Sequence, residues 1–465
     1  MISPFALKGR PLSVSLTTPL TLPCGAVLAN RMAKAAITEG LADPRGWPTE
    51  ELERLYRRWS QGGFGLMITG NVIVDGAHLE RPGNVILADE VTPEQMAKLR
   101  SWAKIGTQDG AHLWAQLSHS GRQTQKAINP RPLSPSAIAV GLPGRLFGAP
   151  QEMTEDDIVE TIGRFASAAR VCKDAGFTGV QIHAAHGYLI SCFLNPKANQ
   201  RSDAWGGSLA NRACFLLSIV SAVREAVGHK FPISVKLNSA DFQKGGLSFE
   251  ESQKVALMLE QVGVDLLEIS GGSYESPAMV GEKGGGADVE RPAKASTLAR
   301  EAYFFEFARS LRQRLKIPIM LTGGLRSRKG MYAALEEGVD VLGIARPVSV
   351  EPDAMRRFMI GAIDVLTSWE ARIRRERGIW SSNSPFSLIR TLNSFAGIYW
   401  FYAQIYRLGR GDAVDTDLWP VKAMIEVMST ERRIQSARVK FLSSKDANRR
   451  SKSDREPAFW RTAAE

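Results

Sequence analysis

Two histidines and a tyrosine stand close together in His183-Ala184-Ala185-His186-Gly187-Tyr188, and their types suit only a few kinds of chemistry. Residues three apart can face one side of a helix or a tight turn, so His183 and His186 can converge on one atom. If that atom were zinc, a third protein ligand would be needed, and no further His, Cys or carboxylate cluster lies nearby in the sequence. No metal is therefore expected. If the atom is a substrate oxygen, two neutral or partly protonated imidazoles can donate hydrogen bonds to it and stabilise negative charge as it builds there. Tyr188 can then supply a proton to the neighbouring atom. The plain alternative is that all three are satisfied polar groups of a core.

Such residues need a frame. Eight short β-type runs recur along the chain: 32–37, 66–70, 112–117, 179–183, 233–237, 266–270, 319–322 and 341–345. Helical stretches at 156–175, 210–227, 249–262 and 328–338 alternate with them, which is the pattern of parallel strands joined by crossover helices. Several units end alike, with Gly176, Gly263 or Gly338 closing a helix just before the next strand, and glycine supplies the left-handed cap. Eight such units predict an α/β chain folded as a closed (β/α)8 TIM barrel, which leaves no sheet edge. An open doubly wound sheet is the alternative. Leu20 to Leu28, with a Pro-Cys-Gly turn between apolar runs, reads as an N-terminal hairpin plugging the barrel bottom. The long Gly, Pro and Arg-rich connection 118–154 reads as a functional loop over the C-terminal rim.

Barrel enzymes assemble their sites from residues at the C-terminal ends of several strands. Thr38 follows the first run, Gln116 ends the third, His183 and His186 follow the fourth, and Lys236 lies in the fifth. The loops after strands seven and eight of this fold commonly hold a phosphate on backbone N–H groups. Here those loops carry Gly323 and Gly324, and Ala345 followed by Arg346, whose guanidinium suits a two-pronged phosphate contact. Each glycine pair alone is also plain turn chemistry; the two in register on one barrel point to phosphate binding.

The formal net charge of +11 raises the question of an anionic partner. Much of the excess clusters late, around Arg372, Arg374, Arg375 and Arg377 and around Arg449, Arg450 and Lys452, with no nucleic-acid-binding module beside it, so no nucleic acid is expected. The four cysteines, Cys24, Cys172, Cys192 and Cys214, form no Cys-x-x-Cys pair, and the first residues lack the features of a secretory signal; a reduced, cytoplasmic setting is expected. Strand and helix alternation stops near Asp353, dividing the chain into a barrel domain, 1–365, and a helical, basic extension, 366–465, whose end from Ser443 onward reads as loosely ordered. The aromatic stretch from Phe395 to Tyr406 is shorter than the roughly 20 residues a membrane span needs. It reads as a helix packed on the barrel or on a partner subunit, with peripheral membrane contact as the second possibility.

With their surroundings, these residues resemble the Old Yellow Enzyme family of FMN-dependent NAD(P)H oxidoreductases and ene-reductases, over roughly residues 18–365. The resemblance is carried by His183 to Leu189, by Phe193-Leu194-Asn195-Pro196, Asn199 to Asp203, Trp205 to Ser208 and Asn211-Arg212, and by Asn30-Arg31, Gln116 to Arg122 and Gly343 to Arg346. It implies noncovalent FMN, with NADH or NADPH as electron donor. Ala36, Ile37 and Thr38 would line the flavin, the Thr38 hydroxyl near its O4; Gln116 would grip the pyrimidine edge. Asn71 stands where the family has a small residue, and Lys236 where most relatives have arginine beside flavin N1 and O2, and lysine cannot make arginine's flat two-pronged contact.

The implied reaction has two halves, reduction of FMN by NAD(P)H and hydride transfer from the flavin to the β-carbon of an activated alkene. His183 and His186 would hold the oxygen of this small electrophilic substrate and Tyr188 would protonate the α-carbon. Flavin-bound demethylation or isomerisation on the same barrel, and a membrane-associated scaffold acting through the extension, are the alternatives. A homo-oligomer is expected.

Overall fold

The computed structural model describes residues 14–88, 90–141, 146–270, 307–373 and 387–453, the last span without the side chains of 387–395 and 446–453. Eight strands run β1 Met32–Lys34, β2 Leu66–Ile73, β3 His112–Ser118, β4 Gly179–Ala184, β5 Ile233–Asn238, β6 Leu266–Ser270, β7 Ile319–Thr322 and β8 Val341–Ile344. Each pairs in parallel with the next. β8 pairs in parallel with β1, so the barrel closes and no open sheet remains.

Among the helices between them are α1 Glu50–Ser60, α2 Pro93–Thr107, α3 Glu155–Ala175, α4 Leu189–Leu194, α5 Leu209–Val227, α6 Phe249–Gln261 and α7 Arg328–Glu336. Their ends follow from side-chain chemistry. Thr154 and Asp157 form a reciprocal capping box at the start of α3, and Ser248 and Glu251 do the same for α6. Gly176 closes α3 at φ 93°, a conformation that only glycine adopts without steric cost.

The strand ends depart from the sequence expectation in ways that matter for the site. β1 stops at Lys34, its last rung being Ala35 N–H to the Ile344 carbonyl, so Ala36 to Thr38 leave the ladder and turn over the barrel mouth. β2 instead runs on to Ile73 through an irregularity between Ile68 and Asn71; such a bulge re-aims the side chains that follow. The hairpin is present as Leu20–Thr21 against Val27–Leu28. Leu20, Leu22 and Leu28 pack with Ala33, Leu66, Trp114, Leu266, Met320 and Val341, sealing the barrel floor.

Two further helices, α8 Ser387–Arg410 and α9 Pro420–Ser453, return along the barrel. Trp400, Phe401, Ile405, Tyr406 and Leu408 join the same hydrophobic cluster as α1 and α2, so these residues of the aromatic stretch pack against the barrel. No helix among the described residues is long and apolar enough to cross a membrane. α9 reaches Ser453, so the loose end expected from Ser443 is helical for its first part. Residues 454–465, Arg374, Arg375 and Arg377, and the side chains of Arg449, Arg450 and Lys452 lie outside the described residues.

Candidate active site

His183 is the penultimate residue of β4, which runs one residue past the expected 179–183, and its register partner is Lys236 on β5. After the strand, His186 takes φ 63° and Gly187 φ 79°. Two successive left-handed residues reverse the chain and leave Tyr188 extended at the head of α4. A left-handed non-glycine residue is strained. His186 is held there by Gln123 Nε2, which donates to its carbonyl at 2.7 Å, and by its own N–H, which donates to Asn238 Oδ1 at 3.3 Å. The result brings three rings together: the His183 centroid lies 5.0 Å from that of His186 and 4.8 Å from that of Tyr188, both edge-on.

Both imidazoles are neutral. Burial pushes the pKa of His183 well below the usual histidine range, with His186 and Lys236 adding to the effect; burial and then Lys236 do the same for His186. In His183, Nδ1 accepts from the Ala185 N–H at 3.2 Å, which fixes the proton on Nε2. His186 Nε2 lies 2.7 Å from Ser270 Oγ at the end of β6.

Around these rings the other sequence candidates fall into three groups. Asn71 Nδ2 donates to Thr38 Oγ1 at 3.3 Å, beside the half-buried Ala36 and Ile37. Gln116 and Lys236 join through two residues that sequence reasoning missed. Gln116 Nε2 donates to Gln181 Oε1 at 2.7 Å, Gln181 Nε2 to Glu268 Oε2 at 2.8 Å, and Lys236 Nζ lies 3.1 Å from Glu268 Oε1. Lys236 is thus an ion-pair partner and not a lone cation. At the third group, Gly323 and Gly324 turn at φ 119° and 75° after β7, and Ala345 and Arg346 follow β8. Arg326 NH2 lies 2.9 Å and Arg346 NH1 3.8 Å from Glu370 Oε1. Burial works to raise the Glu370 pKa, and Arg346 and Arg326 outweigh it, leaving it below the usual value.

These residues fit a bound FMN. Asn71 Oδ1 is buried with no hydrogen-bond partner, a state that costs about 1–3 kcal/mol unless a ligand fills it. Gln116 Oε1 and the N–H groups of Gly323 and Gly324 likewise have no protein partner among the described residues, and a side chain added at Gly323 would meet open space. Acceptors therefore stand ready at a ring edge, and free backbone donors at a phosphate.

A second cluster has metal-capable residue types: Asp75, His78 and His119. His78 Nδ1 is 3.0 Å and His119 Nε2 3.6 Å from Asp75 Oδ2, and Arg164 NH1 is 3.0 Å from the same oxygen. On the far side of each ring, His78 Nε2 accepts from the Leu133 N–H at 2.9 Å and His119 Nδ1 from the Gly121 N–H at 3.1 Å. The ring protons therefore sit on the nitrogens that face Asp75, where a metal would need lone pairs, and a guanidinium already occupies the carboxylate. Burial acts to raise the Asp75 pKa, but the His119 and His78 rings facing it outweigh that and hold the carboxyl well below the usual range. The cluster is a proton-holding clamp on the loops after β2 and β3.

The sequence profile of the NADH:flavin oxidoreductase / NADH oxidase family matches residues 15–362. The chain belongs to this family. It is 36% identical over 352 residues to the NADH-dependent flavin oxidoreductase iliE of Hypocrea jecorina (strain QM6a), covering 72% of this chain and 86% of that protein. It is 37% identical over 355 residues to the NADH-dependent flavin oxidoreductase iccE of Talaromyces variabilis, covering 72% and 84%. Of the related iliE protein of Neonectria sp. (strain DH2), 34% identical, the chain spans 45%. Among solved structures, the old yellow enzyme homologue from Zymomonas mobilis superposes with a TM-score of 0.63 at 25% identity, over 76% of this chain and 94% of that one. A 2-naphthoyl-CoA reductase complex gives 0.67 at 26% identity, over 76% and 54%. The protein is an FMN-dependent NADH flavin oxidoreductase of the Old Yellow Enzyme type. The family match stops at residue 362, so α8 and α9 lie beyond it.

Proposed function

We propose that this oxidoreductase delivers electrons from NADH or NADPH to the activated C=C bond of an enone-type or related electrophile. FMN, held by Ala36, Ile37, Thr38, Asn71, Gln116, Lys236, Gly323, Gly324, Ala345 and Arg346, supplies the two-electron chemistry when bound. His183 and His186 donate hydrogen bonds to the substrate oxygen and stabilise the charge that develops there. Tyr188 delivers the proton to the carbon next to the carbonyl or nitro group. Because both imidazoles are neutral, they act as hydrogen-bond donors and leave proton delivery to the tyrosine.

The observation that carries this reading is the Ala185 N–H donating to His183 Nδ1, which leaves Nε2 as the donor, in a ring 5.0 Å from a second imidazole and 4.8 Å from a phenol. One donor of this kind is worth roughly 10²–10³ in rate. The test is anaerobic stopped-flow: NADH-reduced protein is mixed with a panel of enones, nitro compounds and quinones. Enones are expected to reoxidise the flavin, and His183→Ala to slow that step by about a hundred-fold or more. Reoxidation by quinones alone refutes the proposal.

A further inference from the structure

Glu268 is a carboxylate inside an otherwise apolar strand run, Leu266-Leu267-Glu268-Ile269, and it is 0% exposed. Such a group persists only when paired and hydrogen-bonded, and Glu268 meets both conditions. Oε1 faces Lys236 Nζ at 3.1 Å, and Oε2 accepts from Gln181 Nε2 at 2.8 Å. The other Gln181 N–H goes to Ser234 Oγ at 3.1 Å, so the Gln181 oxygen is left to accept from Gln116 Nε2 at 2.7 Å. A carboxylate only accepts. The chain Gln116 to Gln181 to Glu268 therefore has one sense, and it ends with Gln116 Oε1 turned outward.

We propose that Glu268, which touches Lys236 directly and Gln116 through Gln181, is the positioning residue that sets the electrostatics of the flavin's pyrimidine pocket. It neutralises Lys236 and aims the Gln116 oxygen at the ring N–H. This rests on the assignment of Lys236 and Gln116 to that edge. Negative charge gathers on the pyrimidine when the flavin is reduced, and a lone cation there favours it. A neutral ion pair favours it less, so Glu268 keeps the bound cofactor a stronger reductant than a lone Lys236 would.

Sulfite reads this property without turnover, because it bleaches oxidised flavin while placing negative charge on the same edge. The holoenzyme variants are Glu268→Gln and the double variant Lys236→Met with Glu268→Gln, each scored first for FMN content. Glu268→Gln is expected to bind sulfite more tightly by on the order of ten-fold, with a midpoint potential higher by about 30 mV, the two-electron equivalent of ten-fold. The double variant, neutral like the native pair, is expected to return within about three-fold of wild type. Unchanged sulfite affinity in flavin-replete Glu268→Gln overturns the proposal, as does a double variant that binds sulfite as tightly as the single one. If Glu268→Gln does not fold, the double variant decides alone: a ten-fold departure from wild type in either direction overturns it. Wild-type protein that cannot be loaded with FMN would instead refute the flavin-site reading itself.

Discussion

Removing the charge of Glu431 tests whether α9 is part of the barrel's architecture or an appendage. Arg81, in the loop after β2, is 3% exposed, and Glu431 is 7% exposed. Arg81 Nε donates to Glu431 Oε1 at 2.7 Å, and NH2 contacts the same oxygen. Burial acts to lower the Arg81 pKa, but Glu431 foremost raises it well above its ordinary value; a guanidinium is in any case too basic to lose its proton in a protein, so Arg81 stays charged if its partner is removed. Breaking one side of a buried pair costs about 3–5 kcal/mol because the other charge is left desolvated. The Tyr402 ring, 3.6 Å from the guanidinium carbon, remains and contributes roughly 1–2 kcal/mol. Glu431→Gln is therefore expected at the low end of that range, about 3 kcal/mol. Urea unfolding of the holoenzyme, followed by tryptophan and flavin fluorescence, should show a lower midpoint with an unchanged slope. Arg81→Met combined with Glu431→Leu should recover most of the loss, since an apolar pair leaves no stranded charge. A loss below about 1 kcal/mol in the single variant, or simple additivity of the two changes, would show that the pair does not anchor α9 to the barrel.

Three further outcomes are expected. Tyr188→Phe should slow flavin reoxidation by an enone by roughly 10²–10⁴ while leaving reduction by NADH nearly unchanged, measured as separate half-reactions; equal slowing of both removes the proton-donor role. Gly70→Ala should weaken FMN binding at least ten-fold in a fluorescence titration. Its Cβ would lie 2.5 Å from the Ile37 carbonyl oxygen and 2.7 Å from Thr38 Cα, and that backbone cannot yield without moving the loop proposed to line the flavin. Acid should destabilise the fold through His119, whose pKa burial lowers to about 4. The unfolded histidine titrates near 6.5, so between these values the unfolded chain binds the extra proton, and stability falls as pH drops from about 6.5 to about 4, by about 3 kcal/mol at the end. His119→Gln should flatten that part of the stability profile; an unchanged slope there argues against the assignment.

The barrel was legible because its signals are local. β-type runs of four to six residues and glycine-closed helices repeat with a period that the closed sheet reproduces to within a few residues. His183, His186 and Tyr188 were legible for the same reason, since one reversal after β4 brings all three rings together. Strand ends were less so. Ala36 to Thr38 continue the apolar run in sequence, and only the barrel's curvature takes them out of the ladder. The clamp of Asp75, His78 and His119 depends on contact between the loops after β2 and β3, and the Arg81 to Glu431 pair spans 350 positions. No periodicity reports a contact of that separation.

One sequence signal for the missed residues does exist, and it is energetic rather than periodic. A charged residue in a strand buried on both faces must have a partner, because desolvating it alone costs more than the strand gains. Lys34 in Met32-Ala33-Lys34 and Glu268 in Leu266-Leu267-Glu268 both break their apolar runs in this way. Lys34 points outward beneath α1. Its Nζ donates to the Ile68 carbonyl at 2.7 Å and lies 4.3 Å from the Trp59 ring centroid, and burial lowers its pKa to about 8. Glu39 accepts from the Gly70 N–H at 2.8 Å and pairs with the Tyr56 hydroxyl, tying the Thr38 loop to the same helix. Glu268 points inward to Lys236. The two charges thus brace the loop and the floor of one site from opposite sides of the barrel wall. Neutralising Lys34 as Met should therefore disturb FMN retention through the Thr38 loop while leaving the sulfite affinity of the flavin that remains unchanged, whereas Glu268→Gln should do the reverse.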